Sequence, residues 1–186
     1  AFYGCGIGSV ALGKNLLTVG EYAFSYCSSL AEVTAANPDT LYEEGCFDHT
    51  PFIADETKAE GGAIYLGNTL VAFAGEGERV QVKYGTTHLL WLMSEEVRYL
   101  ELPARVRAED AVSVRYGLPA LEQLWLGMVP AGMEASCDLG SRNIAPQEAL
   151  YIYVPRNFTY RGSINSSVYL CYGGTQEDFE TYAQVN

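Results

Sequence analysis

Basic side chains and long apolar runs are scarce in this sequence of 186 residues. Lysine and arginine together number 11 against 23 aspartates and glutamates, so the net charge is −12. Because phosphate recognition depends on clustered lysine and arginine, this balance excludes nucleic acid as an expected partner. Apolar runs such as residues 89–93 are far too short to span a bilayer, and we expect no membrane-spanning segment.

Sequence motifs for catalysis, metal binding and dinucleotide binding are missing as well. The two histidines adjoin no nucleophile motif, Gly-x-Ser-x-Gly is absent, and the five cysteines include no Cys-x-x-Cys pair. The glycines of residues 4–8 lack the spacing of a dinucleotide fingerprint. We therefore predict that the protein is not an enzyme and uses neither a metal nor a cofactor.

Acidic pairs are the remaining source of catalytic groups. The pairs are Glu43-Glu44, Asp55-Glu56, Glu95-Glu96 and Glu109-Asp110. Two carboxyl groups at a suitable separation can act as acid and base in glycoside cleavage, which keeps a hydrolase as the least favoured alternative. Each pair lies at a turn or between apolar positions, where solvated charge is the simpler explanation.

One pattern recurs along the chain: a small and an aromatic residue, then a small residue, a leucine and an alternating apolar pair. The aromatic position recurs at Phe2, Phe24, Phe47 and Trp91, and the small position three residues later holds Cys5, Cys27, Thr50 and Ser94. Phe2 and Phe24 are 22 residues apart. A period of roughly 20 to 29 residues is the signature of a leucine-rich-repeat solenoid.

A short apolar alternation follows the leucine in each repeat. The pairs are Val10/Leu12, Val33/Ala35, Val80/Val82, Leu100/Leu102, Leu124/Leu126, Ile152/Val154 and Val168/Leu170. Two inward side chains per segment fit a short strand with its apolar face on a core. We predict one short parallel strand in each repeat of 22–24 residues, all joined in a single ladder.

The other positions of the frame are predicted to be core. The aromatic residues would fill the convex side of the repeats. Cysteine behaves as a small hydrophobe when it is buried, and buried free thiols are expected at Cys5, Cys27 and Cys46. Cys171 falls on the outward alternation of its strand and is expected to be partly exposed.

Residues 19–33, VGEYAFSYCSSLAEV, closely resemble the repeat of the BspA-like leucine-rich repeat family of bacterial surface proteins, I-G-x-x-A-F-x-x-C-x-x-L-x-x-V-x-I-P. Residues 63–73, AIYLGNTLVAF, resemble the family's inserted β-hairpin, and residues 172–179, YGGTQEDF, resemble its frequent ending Y-x-G-T-x-E-E-W. The resemblance is strong over about residues 1–102 and 166–182. It implies an extracellular or cell-surface protein of bacterial origin but says little about activity, because it rests on core positions.

The repeats predict a single leucine-rich-repeat domain over residues 1–186. Its predicted segments are regular repeats at 1–53, an inserted hairpin at 61–75, repeats at 78–127, irregular repeats at 128–171, and a C-terminal cap with a short helix at 172–186. The sequence starts within a repeat, so we expect no N-terminal cap. An uncapped end exposes core edges and unpaired strand groups, which predicts self-association at the N-terminal end.

Strand alternation also predicts an aromatic stripe on the outward, concave face of the ladder. Its members are Trp125, Tyr153, Tyr169, Tyr151 and Tyr99, with Glu101 and Gln123 beside them. If the last repeats are consecutive, Trp125, Tyr153 and Tyr169 stack as neighbouring columns, since adjacent strands lie about 4.8 Å apart. Exposed aromatic side chains on a rigid sheet suit protein or sugar recognition. The alternatives are a stripe that only stabilises the sheet, or one that a loop or the C-terminal segment covers.

Two hypotheses for function remain close on these grounds. The first is a non-catalytic binding or adhesion module that holds a protein or glycan of a host or neighbouring cell on the concave sheet. The second is a structural spacer that projects or joins other modules and has no ligand of its own.

Overall fold

A computed structural model describes residues 2–74, 77–90, 93–106, 118–129, 136–138, 150–155, 157–159 and 168–172. Most of these residues form short strands or the turns between them, together with one four-residue α-helix and one 3₁₀ turn. None of the described helices is long and apolar enough to cross a membrane. The strand-rich architecture fits a leucine-rich-repeat-like fold.

The described elements follow one another closely. The first half contains β1 (Ser9–Leu12), β2 (Thr18–Val19), β3 (Glu32–Ala35), β4 (Leu41–Tyr42), α1 (Pro51–Ala54), the 3₁₀ turn (Glu56–Lys58), β5 (Ala63–Leu66), β6 (Thr69–Phe73) and β7 (Arg79–Gln81). The second half contains β8 (His88–Leu89), β9 (Tyr99–Pro103), β10 (Gln123–Met128), β11 (Ser136–Asp138), β12 (Leu150–Val154), β13 (Asn157–Thr159) and β14 (Val168–Tyr172). The predicted C-terminal helix lies outside the described residues.

Parallel pairing between repeats dominates the sheets. β1 pairs with β3, β2 with β4, and β11 with β13, each in parallel. The largest sheet has five parallel strands in the order β14-β12-β10-β9-β7, so sequence order and spatial order agree. Within the predicted hairpin segment 61–75, β5 and β6 are antiparallel, and β8 adds to β6 in parallel.

The predicted inward residues are in register, but in two separate sheets. In the first sheet Val10 faces Val33 and Leu12 faces Ala35. The five-stranded sheet aligns Val80, Leu100, Leu124, Ile152 and Leu170. The expectation that a single ladder joins all of these pairs is therefore wrong.

The ladder is interrupted where the third copy of the repeat lacks its apolar pair. Residues 55–57 are Asp, Glu and Thr, and they lead into the 3₁₀ turn rather than into a strand. The Asp55 carboxylate accepts a hydrogen bond from the Thr57 N–H over 3.1 Å and caps this turn. Side chains that bond nearby backbone groups favour turns over strands, which accounts for the missing third strand of the first sheet.

The phenylalanine rings at the aromatic position stack on one another in successive repeats. The ring centroids of Phe2 and Phe24 are 5.3 Å apart and those of Phe24 and Phe47 are 5.7 Å apart, with planes 3° and 8° from parallel. Phe52 packs edge-on against Phe47 at 5.5 Å. Phe24 and Phe47 are buried, as predicted, whereas Phe2 stacks on a ring from one side only and is 53 % exposed. Trp91 lies outside the described residues.

The small residues next to the aromatic position and three residues after it are packed tightly beside the phenylalanine rings. Cys27 and Cys46 are fully buried and free, which confirms the prediction for both thiols. Thr50 is also buried, and its hydroxyl donates to the Phe47 carbonyl over 2.7 Å. Burial raises the pKa of the Cys46 thiol to about 12, so this thiol stays protonated at neutral pH. Cys5 is only half-buried, because it lies in the outermost described repeat.

Phe47→Ala is expected to lower the free energy of unfolding by about 3–5 kcal/mol, because it empties a fully buried site in the ring stack. Phe2→Ala is the matched control, since its ring is 53 % exposed, and it should cost about 1 kcal/mol. Urea denaturation of the two variants measures the difference. Equal losses of stability would show that ring stacking alone, without burial, determines how much each phenylalanine contributes.

Candidate functional site

The outward side chains of the five-stranded sheet form two rows that cross its strands. The first row is Arg79, Tyr99, Gln123, Tyr151 and Tyr169. The second row is Gln81, Glu101, Trp125, Tyr153 and Cys171. Side chains alternate along a strand, so both rows lie opposite the buried residues Leu100, Leu124 and Ile152. We call the surface formed by the two rows the outer face.

Aromatic rings stack within both rows. The ring centroids of Trp125 and Tyr153 are 3.8 Å apart, and their planes are 2° from parallel. Tyr151 and Tyr169 stack at 4.9 Å with planes 18° apart. Each stack joins neighbouring strands, so one face of each ring meets the face of its partner across the sheet.

The predicted column of Trp125, Tyr153 and Tyr169 is wrong in its last member. The pairing of β12 with β14 sets Tyr151 beside Tyr169 and Tyr153 beside Cys171. The outward direction of Tyr169 is as predicted, but alternation repeats every two residues, so the pattern alone leaves the register open. Tyr99 also lies in the first row, where Gln123 separates it from Tyr151.

The aromatic side chains of the outer face differ in exposure. Tyr151 and Tyr169 are 42 % and 50 % exposed, while Trp125 and Tyr153 are half-buried. The Trp125 Nε1–H donates to Gln123 Oε1 over 3.3 Å, which gives the indole a polar partner at the surface. Partial burial raises the pKa of the Tyr153 phenol, and the charge of a Cys171 thiolate would act in the same direction. Cys171 itself is half-buried and free, as expected.

Two alternatives for this surface remain as predictions. A covering C-terminal segment concerns residues 173–186, which lie outside the described residues. The exposed fractions of Tyr151 and Tyr169 show that their rings are open to solvent within the described part of the chain. Ligand binding by the outer face and a role limited to sheet stability both remain predictions.

A buried carboxylate lies next to Trp125 in the second row. Glu101 is only 5 % exposed. Arg79 forms an ion pair with Glu101 Oε1 and approaches it through Nε at 3.1 Å, and Gln81 Nε2 donates to Oε2 over 2.9 Å. A buried charge needs such partners to offset its desolvation. The repeat pattern predicts Glu101 beside the stripe but does not predict this network, although Arg79 and Glu101 are 22 residues apart, one repeat period.

An open depression of about 440 Å³ adjoins the second row. Its lining includes Gln81, Pro103 and Met128 from the carboxyl ends of three neighbouring strands. The Lys83 ammonium and the Glu60 carboxylate form an ion pair at 2.8 Å within the same lining. The depression therefore combines apolar walls with one paired charge, a composition that suits a partner side chain.

The acidic pairs lie mainly at the surface of the described part of the chain. No group of three or more His, Cys, Asp or Glu residues that could hold a metal occurs there. The exposed members of the acidic pairs are Glu43, Glu44, Glu56, Glu95 and Glu96. Asp55 is held instead by hydrogen bonds from Thr57 and Lys58, which lower the pKa of its carboxyl group. The pair Glu109-Asp110 lies outside the described residues.

Comparison with protein families gives a match for the first part of the chain. Residues 1–60 match the family model of the BspA type leucine rich repeat region (6 copies). Residues 1–60 are therefore similar to BspA-type leucine-rich repeats. Members of the BspA-type family are generally non-catalytic repeat modules that are typically found at the cell surface, and the family indicates protein binding. No curated protein and no solved structure matches the chain.

The BspA-type match covers about a third of the chain. It ends before the five-stranded sheet begins at Arg79. The resemblance of residues 61–102 and 166–182 to the same family, and the division of the chain into segments, remain predictions. The outer face therefore lies in the part of the molecule for which the sequence comparison gives no guidance.

Arg79→Met is expected to lower the free energy of unfolding by about 1–3 kcal/mol, because it removes the charged partner of the buried Glu101 carboxylate and leaves the hydrogen bond from Gln81. Arg98→Met is the control. Arg98 pairs with Glu122 and lies 3.5 Å from Glu78, and all three side chains are exposed, so its loss should cost less than about 1 kcal/mol. Guanidinium denaturation distinguishes the two, and similar costs would contradict the importance of burial at Glu101.

Proposed function

We propose that this chain is a non-catalytic recognition module of a bacterial cell-surface protein, and that it uses the outer face for adhesion to a protein or glycan of a host or neighbouring cell. The repeats are proposed to stack as a solenoid that carries this face on its concave side. The BspA-type match at residues 1–60 supports the family setting.

The observation that carries the proposal is the pair of ring stacks on the outer face. The stack of Trp125 on Tyr153 and the stack of Tyr151 on Tyr169 are adjacent, because the two rows run across the same strands. Stacked rings on paired strands lose little freedom when a ligand binds, and large amphipathic side chains provide much contact area. Stacked cross-strand rings also stabilise a sheet, so the exposure of Tyr151 and Tyr169, at 42 % and 50 %, is what favours a ligand-binding role.

The direction of the rings favours a protein over a glycan. Sugar rings usually pack on the face of an aromatic ring, whereas Trp125 and Tyr153 press their faces together at 3.8 Å. Stacking leaves fewer ring faces for a sugar, and tyrosine hydroxyl groups suit hydrogen bonds with the backbone and polar side chains of a protein. The nearby depression beside Gln81 adds a hollow for one projecting side chain of the partner.

The double variant Trp125→Ala/Tyr153→Ala tests the proposal on arrays of extracellular-matrix proteins and glycans. We expect any protein ligand to be bound roughly 30-fold more weakly, as for loss of a central aromatic contact worth about 2 kcal/mol. The control is Trp125→Phe/Tyr153→Phe, which keeps the stack and should retain most of the affinity. Circular dichroism checks that both variants fold.

The array also separates recognition from the spacer hypothesis. A ligand that binds the parent chain and the alanine variant equally would place binding elsewhere. If no ligand binds the parent chain, a structural spacer without a ligand becomes the better explanation. A glycan ligand that depends on Trp125 would contradict the preference for a protein.

We also propose that the end of the chain near Phe2 self-associates. Phe2 is exposed, and an open apolar depression of about 850 Å³ beside it is lined by Ile7, Leu12, Leu16 and Val19, among others. β1 is an edge strand of its sheet, and unpaired strand edges readily pair with another chain. This patch supplies both an apolar surface and a strand edge to a second copy.

Sedimentation velocity should show dimers of the parent chain as the concentration approaches the millimolar range. Phe2→Asp should shift the chain toward monomer, because it introduces a charge into the proposed contact. The outer-face variant Trp125→Ala/Tyr153→Ala serves as the control and should dimerise like the parent. A parent chain that stays strictly monomeric would rule out this proposal.

A further inference from the structure

A second set of exposed aromatic side chains lies on the turns of residues 1–60. Tyr26 stacks on His49 with ring centroids 4.3 Å apart and planes 24° from parallel. Tyr3, from the preceding repeat, lies 5.4 Å from Tyr26. All three side chains are exposed. They come from three successive repeats and share no residue with the outer face.

The backbone at Tyr26 and His49 is one that bulky residues rarely adopt. Gly4, Tyr26 and His49 each lie two residues after the phenylalanine of their repeat. Their φ angles are 65°, 58° and 56°. Glycine adopts this left-handed conformation freely, whereas larger side chains are disfavoured there. Because glycine occupies this position in the first repeat, the fold does not require an aromatic side chain at the same position in the next two repeats. Residues held in such a conformation cluster at functional sites.

Tyr22 joins this surface by a related arrangement. It has φ of 52°, and the equivalent residue of the next repeat is Gly45, with φ of 63°. A Cβ atom on residue 45 would stand 2.3 Å from Tyr22 Cε1 and 3.1 Å from Asp48 Oδ2. Glycine therefore makes room for the Tyr22 ring and the Asp48 carboxylate to lie together. We call Tyr3, Tyr22, Tyr26 and His49 the turn strip.

The surroundings of the turn strip are acidic. Residues 1–60 contain nine aspartates and glutamates but only two lysines, Lys14 and Lys58. Lys58 is already paired with Glu32 at 2.8 Å and Asp55 at 3.1 Å. The exposed carboxylates in the same turns as the strip are Glu21, Glu43, Glu44 and Asp48. A cationic group at the strip would meet aromatic rings and carboxylates together.

We propose that the turn strip binds a lysine- or arginine-bearing peptide segment of a partner protein. The carboxylates around the strip attract ammonium and guanidinium groups, and the exposed aromatic side chains offer contact area to the apolar stems of lysine and arginine. The rings follow one another at 4.3 and 5.4 Å along three repeats, which suits an extended segment. This site is separate from the outer face and does not depend on the function proposed for it.

The double variant Tyr26→Gly/His49→Gly tests the proposal in the full chain. Glycine keeps the left-handed backbone, as at Gly4, so the variant removes the rings without new backbone strain, and its thermal midpoint reports whether it folds. The probes are twelve-residue peptides of alternating lysine and serine, arginine and serine, or glutamate and serine, titrated by calorimetry. We expect the lysine and arginine peptides to bind the parent and to lose about 10-fold in affinity in the variant.

The controls separate the strip from net charge. Trp125→Ala/Tyr153→Ala should bind the basic peptides as the parent does, and the glutamate peptide should bind neither protein. Equal affinity of the basic peptides for the parent and for a folded Tyr26→Gly/His49→Gly variant would attribute binding to net charge and overturn the proposal. Absence of binding by the parent would overturn it as well.

Discussion

Hydrogen bonds between equivalent backbone positions of successive repeats fix the register on which the other contacts depend. The Phe2 N–H donates to the Ala23 carbonyl over 2.6 Å, and the Phe24 N–H donates to the Cys46 carbonyl over 2.8 Å. These bonds tie each aromatic position to the next repeat, so the phenylalanine rings stack without further adjustment. The same register stacks the exposed ring of Tyr26 on that of His49. In the five-stranded sheet, the register between strands brings Trp125 beside Tyr153 in the same way.

The sequence predicts those parts of the fold that depend on side-chain type and spacing. The burial of Phe24, Phe47 and Cys27, the inward alternation of the strands and the outward direction of Trp125 and Tyr153 all follow from the repeated pattern. The neighbour of Tyr169 was missed because register depends on how two strands pair, and a pattern with a period of two does not specify it.

Two other features escaped sequence reasoning for different physical reasons. The Glu101 network joins residues of adjacent repeats, and an acidic residue within an apolar strand gives no sign that its partner lies one period away. The turn strip depends on a left-handed backbone at Tyr26 and His49. A tyrosine or a histidine does not predict this conformation, whereas the glycine at the equivalent position of the first repeat, Gly4, does. Aligning the repeats by their phenylalanines would have compared these three residues directly.

The hairpin of β5 and β6 is held at its tip as well as along its strands. The Asn68 N–H donates to the Pro38 carbonyl and its side-chain amide to Asp39, both over 2.8 Å, and the Thr87 N–H donates to the Asn68 carbonyl over 2.9 Å. Gly67 comes so close to Pro38 that a Cβ atom would lie 2.4 Å from the Pro38 carbonyl oxygen. Hairpin tips usually accept epitope tags and fluorophores readily. Here a label inserted between residues 67 and 68 would break the hydrogen bonds that join the tip to the loops at Pro38 and Thr87. Labels therefore belong elsewhere on the chain.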